Sequence, residues 1–399
     1  MELLILLLLT EFLSPEVLRQ HYYATHRTRF YVTIIIHVLL SIWIWLLYFK
    51  ISTYNSFFDT PSNIWRLMAF NGTIAAVVFP RIVLIIFHFS GKLIKIRTGG
   101  HMRWLTDAGL IIMTCIFTAA VAGNLRGRFN FKTEKVTISI EGLHPDLDGF
   151  RIVQLSDLHL ATFNHHLKKL EEAVETVNSL NPDLVVNTGD FITFGWREFD
   201  RCDTILAKIK SRYGSYAVLG NHDFGEYNHE FTEAEERNNV LIMKNKIRDS
   251  GFHLLYEESS TLKIGEAELA LIGIITQGSH PNIIHGDLKK SMAGTESADL
   301  RVLLSHDPNH WEEAVSVKTG IELTLSGHTH GMQLGIITKS LRWSPIKYFY
   351  PHWNGVFEQG NQFHYVNRGL GVLGIPFRIW MPPEITLITL ISKEKRVTD

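Results

Sequence analysis

Five short blocks in this 399-residue chain carry residue types that together could do chemistry. Ser156-Asp157-Leu158-His159 closes the apolar run Arg151-Ile152-Val153-Gln154-Leu155. Gly189-Asp190, Gly220-Asn221-His222-Asp223, Ser305-His306 and Gly327-His328-Thr329-His330 each close an apolar run of their own. Residues i and i+2 of an extended chain point the same way, so Asp157 and His159 would offer a carboxylate and an imidazole to one ion. Alone, each block has a plainer reading. Asp-x-His arises often by chance, Gly-Asp is commonly a turn, and Gly-Asn-His-Asp suits a capped hairpin. Gly-His-Thr-His is more specific, because two imidazoles beside a glycine converge readily.

Together the blocks supply the candidate ligands Asp157, His159, Asp190, Asn221, His306, His328 and His330. Oxygen and imidazole donors without cysteine suit Mn²⁺, Fe or Zn²⁺ better than Ca²⁺. The set is too large for one four-coordinate ion and fits two ions sharing a carboxylate. Two ions about 3.5–4 Å apart polarise an ester phosphate and lower the pKa of a bridging water towards neutrality. His222, adjacent to Asn221, would face the leaving group as acid or hydrogen-bond donor, with Asp223 orienting its ring. His222 and Asp223 are therefore the candidate catalytic residues.

Strands must deliver these blocks. Every block follows a short apolar run, usually with glycine beside it, and open α/β sheets gather ligands at such strand ends. Val136 to Ile140 alternates with period two and predicts an edge strand. Leu167, Leu170, Val174, Val177 and Leu180 share one helix face that Asn181-Pro182 ends. Strands are expected at 150–155, 184–186, 216–219, 253–256, 261–264, 268–274, 302–304, 323–325 and 385–391. Helices are expected near 199–211 and 308–318. Thr232 with Glu235 has capping-box spacing for a helix to Asp249, which Gly251 stops. Residues 276–297 read as a long loop and 331–384 as loop-rich and aromatic.

The residues before 131 differ. Tyr31 to Phe49 is 19 residues without a formal charge, framed by Arg29 and Lys50. That length suits a spanning helix, and Trp43, Trp45 and Tyr48 suit an interfacial belt. Further spans are expected at 67–90, interrupted by Pro80-Arg81, and at 104–123. Residues 3–13 read as interfacial or partly inserted. The chain is thus expected to comprise a membrane anchor over 1–130, with three or four hydrophobic helices, and a catalytic domain over 131–399. Arg19, Arg27 and Arg29, with Lys92, Lys95, Arg97 and Arg103, favour a cytoplasmic N-terminus and an extracytoplasmic catalytic domain. Arg126, Arg128, Lys132 and Lys135 argue the other way.

Composition excludes some partners. The formal net charge is −1, so no nucleic-acid footprint is visible. Cys115 and Cys202 are the two cysteines and suggest no disulfide framework. No oligomeric state is legible.

As a set, Asp157-x-His159, Gly189-Asp190, Gly220-Asn221-His222-Asp223, His306 and Gly327-His328-x-His330 resemble the calcineurin-like metallophosphoesterases. The resemblance covers about 132–392. It implies a four-layer α/β/β/α sandwich with a two-metal site. One ion would take Asp157, His159, Asp190 and His330, and the other Asp190, Asn221, His306 and His328. Asp190 would bridge, and His222 would be the catalytic histidine. Tyr365-Val366-Asn367-Arg368-Gly369-Leu370-Gly371 and Pro382-Pro383-Glu384-Ile385-Thr386 are similar to the membrane-associated bacterial branch and to animal transmembrane proteins with a metallophosphoesterase domain. Some members of that branch act on UDP-2,3-diacylglucosamine. This chain departs at Met332, where that branch usually has a second glycine after Gly331.

The expected function is a membrane-anchored phosphoesterase that uses a metal-bridged hydroxide on a phosphomonoester, phosphodiester or pyrophosphate, with a lipid-linked substrate in view. Phe163, Phe194, Trp196, Trp343, Tyr348, Phe349, Tyr350 and Trp353 flank the blocks. They either contact acyl chains or bilayer, or pack the loops together. The alternatives are a tethered phosphatase or nucleotidase for soluble substrates, and a catalytically silent membrane scaffold. A transporter has thinner support, resting on Arg81 alone.

Overall fold

A computed structural model describes residues 2–53, 56, 58, 60–99, 102–279, 281–316, 318–338 and 340–393. The chain forms two compact units. One is Met1–Phe57, Asn63–Arg126 and Gly374–Phe377; the other is Phe58–Ser62, Gly127–Leu373 and Arg378–Asp399.

The first unit is helical: α1 (Glu2–Tyr22), α2 (Arg27–Ser52), α3 (Pro61–Thr73, less its first two residues), α4 (Phe79–Thr98) and α5 (Arg103–Leu125). Stretches Arg27–Ser52, Pro61–Thr98 and Arg103–Phe129 are long and apolar enough to cross a membrane. Two expectations need correction. The segment at 3–13 does not stop near Leu13. It runs to Tyr22, because Leu7, Thr10, Ser14, Val17, Leu18 and His21 form one buried stripe at helical spacing. Thr10 and Ser14 hid that stripe from a purely apolar reading. Nor does Pro80 break the second span. A π-turn over Ile74–Val78 precedes it and joins α3 to α4. Proline lacks the N–H for a bond four residues back and crowds that carbonyl, and the wider turn absorbs both effects. Arg81 faces other helices. It donates to Glu11 Oε1 at 2.8 Å, and to the His37 carbonyl and Ser41 hydroxyl at 3.1 Å. A cation among apolar helices is tolerated when paired in this way.

The second unit is built on two six-stranded sheets among the described residues. The strands are β1 (Lys132–Glu141), β2 (Arg151–Leu155), β3 (Leu184–Asn187), β4 (Ser215–Ala217), β5 (Phe252–Leu254), β6 (Glu258–Ile264), β7 (Ala267–Gly273), β8 (Leu300–Leu304), β9 (Leu323–Ser326), β10 (Gly355–Gln359), β11 (Gln362–Val366) and β12 (Glu384–Lys393). Their orders are β1-β12-β2-β3-β4-β5 and β10-β11-β9-β8-β7-β6. Strands β2 to β5 run parallel, as do β7, β8, β9 and β11.

Side-chain alternation sorts the layers. Ile152, Leu184 and Val186 face inward and meet Leu271, Val302, Leu304 and Leu325 of the other sheet. Their neighbours Val153, Leu155 and Val185 face outward and meet Leu170, Val174, Ile205, Met243 and Ile247. Those last come from α6 (Leu167–Ser179), α7 (Cys202–Leu206) and α8 (Glu233–Asp249). Across the second sheet, Ile272 and Leu303 pack on Trp311 and Val315. The α/β/β/α order is therefore present, with a thin fourth layer. The helix expected near 308–318 is only the π-turn Trp311–Val315, and that near 199–211 shrinks to α7 because Asp200 turns left-handed. The loop at 276–297 holds a two-residue strand pair, Thr276–Gln277 with Ile284–His285, and the short helix Leu288–Met292. The tail expected as loop contains the hairpin β10–β11, turned by Gly360 at φ 64°.

The Asn367-Arg368-Gly369 stretch joins the two sheets. After β11, Asn367 Nδ2 donates to Thr386 of β12 at 2.8 Å, and Arg368 Nε lies 2.6 Å from Glu384 Oε2. Both partners of that ion pair are buried. Beyond them, the amides of Leu370 and Gly371 donate to the carbonyls of Ser156 and Asp157. The clasp thus ends on the first ligand block. Arg368→Met should leave Glu384 charged and unpaired, costing about 3–5 kcal/mol. Thermal unfolding of the detergent-solubilised chain measures this. A loss below about 1 kcal/mol would mean that the pair holds nothing together.

Candidate metal centre

All five blocks leave the carboxyl ends of parallel strands: β2, β3, β4, β8 and β9. They meet where the two sheets face each other. His306 Nδ1 donates to the Thr188 carbonyl at 2.8 Å, and Gln154 Nε2 donates to the Ser326 carbonyl at 2.9 Å, each linking one sheet to the other. Convergence demands an unusual backbone. Asp157, His159, Asp190, His328 and His330 all have positive φ, between 39° and 70°. A non-glycine residue held there costs about 1–3 kcal/mol. Glycine would relieve the strain but carries no ligand. Where close approach alone matters, glycine is used: a Cβ at Gly220 would overlap Asp190 Oδ1.

Two groups of donors result. Asp157, His159 and His330 form one; Asp190, His306 and His328 form the other. In the first, His330 Nε2 lies 3.2 Å from Asp157 Oδ1 and 3.0 Å from His159 Nε2. In the second, His306 Nε2 lies 3.1 Å from Asp190 Oδ2 and 3.1 Å from His328 Nδ1. Asn221 Oδ1 joins this group, 3.0 Å from His328 Nδ1. Asp190 also looks towards the first group, with Oδ2 3.8 Å from His159 Nε2. The seven expected ligands are thus brought together.

Their partners fix which atoms face inward. His306 Nδ1 is held by the Thr188 carbonyl, so Nε2 faces the group and is the atom an ion would take once its proton leaves. His159 Nδ1 rests 3.1 Å from Thr193 Oγ1, and His328 Nε2 2.8 Å from the Tyr350 hydroxyl. Anchoring the remote nitrogen in this way sets tautomer and ring angle for ion binding. The imidazole nitrogens lie 3.0–3.1 Å apart in both groups, close enough for one ion to take the place of the proton they share.

Electrostatics agree. Burial, with His330 nearby, keeps His159 well below its usual range, and burial lowers His328 to about 4. Both are neutral at pH 7 and ready to ligate. Burial alone would lower His306 too, but Asp190 and Asp157 raise it to about 10. Burial opposes ionisation of Asp157 and Asp190, yet His330 and His306 hold them well below the carboxylate range.

His222 sits beside the second group. Its Nδ1 is 2.8 Å from the Thr193 carbonyl and its ring stacks on Tyr227 at 4.1 Å. Its backbone amide donates to Asp190 Oδ1 at 3.0 Å. Asp223 does not orient that ring as expected. Its carboxylate accepts from the amides of Asp190, Phe191, Ile192 and Gly220 at 2.8–3.2 Å, tying the second and third blocks together. The strand-end turn points it back into the loop, away from the imidazole of its neighbour.

Four contributors escaped the sequence reading. Tyr227 accepts from Asn221 Nδ2 at 2.7 Å and donates to the Gly278 carbonyl at 3.2 Å. Thr193 backs two histidines. Glu198 accepts from the amides of Thr193 and Phe194, which fixes that loop. Arg378, fully buried, donates to the carbonyls of Arg368, Gly369 and Gly371 behind His330, with Nη2 3.2 Å from His330 Nδ1. A lone Arg inside the apolar run Ile375 to Met381 was the available signal for the last. Of the flanking aromatics, Phe163 and Trp353 are buried packing residues, Tyr350 is buried with its hydroxyl on His328, and Tyr348 and Phe349 are exposed.

The calcineurin-like phosphoesterase family profile matches residues 150–332. The chain is 29% identical over 269 residues to the uncharacterized metallophosphoesterase YkuE of Bacillus subtilis, across 65% of this chain and 86% of that one. It is 32% identical over 289 residues to a Danio rerio protein named transmembrane protein with metallophosphoesterase domain, across 70% of this chain and 62% of that one. It is 27% identical to the UDP-2,3-diacylglucosamine pyrophosphatase LpxG of Chlamydia trachomatis, across 61% and 84%.

An ion at the second group must displace the His306 proton. Below about pH 10 affinity should therefore weaken as pH falls, roughly tenfold per unit between 8 and 6. The same protonated pair stabilises the ion-free fold below about pH 6.5 and is lost as pH rises through about 10. Calorimetric titration of Mn²⁺ into chelator-stripped protein, in two buffers of different ionisation enthalpy, should show about one proton released at this group. Binding without proton release would exclude His306 as a ligand.

Proposed function

We propose that this chain, which carries a calcineurin-like phosphoesterase domain, is a membrane-anchored hydrolase of phosphate esters that works with two divalent ions on a lipid-linked substrate. The observation that carries the reading is the Asp190 carboxylate, which faces both donor groups while His222 stands beside it. We assign Asp157, His159, Asp190 and His330 to one ion and Asp190, Asn221, His306 and His328 to the other. Two bound ions would supply Lewis-acid polarisation of the phosphoryl oxygens and lower the pKa of a water.

The chain's own residues do the rest. The Thr193 carbonyl accepts from His222 Nδ1 and leaves Nε2 for the substrate side. Burial lowers this ring's pKa, so giving a proton to the leaving oxygen requires the substrate's negative charge to hold the ring protonated. Asp223 is a positioning residue that holds the 190–192 and 220 amides. Tyr227 holds Asn221 and covers one face of His222.

The lipid-linked part rests on two features. The Chlamydia relative is named for a diacylated nucleotide sugar. The loops after His330 carry exposed Tyr348, Phe349 and Trp380, at 72%, 61% and 70% exposure, with Met332 at 49%. Large apolar side chains left in water beside a candidate site suit an acyl chain or a bilayer surface. The anchor is assigned to 1–130 and the catalytic domain to 131–399. The helix ends flanking the turns after α1 and α4 carry Arg19, Arg27, Arg29, Lys92, Lys95, Arg97 and Arg103. The opposite side carries Lys50, Arg66, Arg126 and Arg128, with Lys132 and Lys135 just beyond, a smaller total. This asymmetry favours an extracytoplasmic catalytic domain whether or not α1 spans. Reporter fusions after Asn130 test this; signal from a cytoplasmic reporter alone would reverse it.

The activity is tested on chelator-stripped full-length protein refilled with Mn²⁺, Fe²⁺ or Zn²⁺. It should release phosphate from lipid pyrophosphates and lose about 10³-fold in kcat with Asp190→Ala. Unchanged hydrolysis by that variant would refute the site. Hydrolysis of nucleotides alone would identify a tethered enzyme for soluble substrates, and none with any ion would leave a scaffold. The combined variant Tyr348→Ser, Phe349→Ser and Trp380→Ser should raise KM for a vesicle-borne substrate roughly tenfold while sparing a water-soluble phosphodiester. Equal effects on both would remove the lipid-contact role.

A further inference from the structure

The helical unit contains a polar cleft of about 250 Å³ between the end of α1, the last turns of α4 and the start of α5. Its floor is buried and polar. His88 lies 3.1 Å from both Thr106 Oγ1 and Gln20 Oε1, and His21 Nε2 lies 2.9 Å from Asp107 Oδ1. Its rim is cationic. Lys92 donates to Gln20, Arg103 Nη2 donates to the His21 carbonyl at 2.8 Å, and Lys95 completes the rim. Two carboxylates lie near the rim: Asp107 pairs with the cleft residue His21, and Glu16 pairs with Arg19 at 2.7 Å and accepts from Gln20 at 2.6 Å. Among the described residues, none of Lys92, Lys95 and Arg103 makes an ion pair with a carboxylate.

We propose that this cleft binds a phosphate-bearing anion, the headgroup of an anionic membrane lipid. The lipid source rests on the membrane-anchored reading above; the anion chemistry does not. Three cations on a concave rim, two ammonium points and one planar guanidinium, match the several oxygens of a phosphate. The N-terminus of α5 lies at this rim without a side-chain cap from Met102, although its Leu105 amide is taken by the Met102 carbonyl. Position selects the source. The cleft lies at the ends of apolar helices, where lipid headgroups sit, and on the end that also carries Arg19, Arg27 and Arg29. Basic pockets between membrane helices on the positively charged side take up anionic headgroups. The seven candidate metal ligands all lie in the other unit, so this is a second anion site and not part of the first.

The test uses the detergent-solubilised full chain with three probes: short-chain phosphatidylglycerol, short-chain phosphatidylcholine and inorganic phosphate. Native mass spectrometry reads retained lipid, and equilibrium dialysis reads phosphate. The parent should retain phosphatidylglycerol over phosphatidylcholine. Lys92→Gln/Lys95→Gln should lower that preference about tenfold, while Lys50→Gln, at the far end of α2, should not. Circular dichroism and hydrolysis of a soluble phosphodiester check that the double variant folds. Saturable phosphate binding with the same lysine dependence, but no lipid preference, would keep the anion site and name free phosphate as its source. Binding of neither probe, or an unchanged double variant, would overturn the proposal. Vesicle flotation separately reports on the anchor: a chain that fails to float defeats the membrane reading, while the phosphate arm still decides the cleft.

Discussion

The carboxylate of Asp190 is the group on which the rest of the centre depends. Its Oδ1 takes the amide of His222, and its Oδ2 faces His306 at 3.1 Å and His159 at 3.8 Å. One side chain therefore touches the second, third and fourth blocks and looks across to the first. It can do so only because its own backbone is left-handed and because no side chain intrudes at Gly220. Both conditions are set by strand ends that lie side by side in one sheet. The opposing sheet then has to close over them to bring His306, His328 and His330. Sheet closure and site formation are one event.

That closure brings like charges together. Asp157, Asp190 and Asp223 lie buried within a few residues' reach of one another, and five ligand residues hold strained backbones. Fold elements offset this cost in two ways. Backbone amides neutralise what they can: Asp223 takes four, and Asp157 takes the amide of His328. Buried ion pairs and carbonyl cradles lock the frame, as with Arg368 on Glu384 and Arg378 behind His330. What remains is an array of converging carboxylates and imidazoles that share a few protons. A divalent cation is the ligand that such an array favours, so binding of the ion and stability of the fold are coupled.

Much of this was legible in the sequence. Apolar runs ending in Asp, Asn or His mark strand ends directly, since a buried strand needs a continuous apolar stretch and a ligand needs a turn. The edge strand at 136–140 and the capping box at Thr232 were equally local signals. The failures share one cause: the deciding interaction is remote in sequence. Asp223 reads as a partner for its neighbour His222, but the amides it serves come from residues 190–192. Arg378 reads as an oddity in an apolar tail until the carbonyls of 368–371 surround it. The π-turn before Pro80 lets the span run on through the proline, and a proline in an apolar run reads locally as a break. Tyr227 and Tyr350 gave no sign beyond being aromatic residues in loops.

The helical unit follows the same logic with different solvent. A single Arg in an apolar span could be read as a break or as a transport residue. Paired with Glu11 and bonded to His37 and Ser41, Arg81 is instead glue between helices α1, α2 and α4. Glu11 is what makes α1 part of the bundle, since an apolar interior would otherwise reject either charge alone. The basic residues at one end are different in kind. They sit on a rim, face a cleft and have no carboxylate among the described residues. Charges that a fold neutralises internally serve stability; charges that it leaves grouped at a helix end remain available to something outside the chain. Arg81 is neutralised by the Glu11 carboxylate, whereas Lys92 and Arg103 bond within the bundle only to neutral groups, Gln20, Thr25 and the His21 carbonyl, and keep their charge.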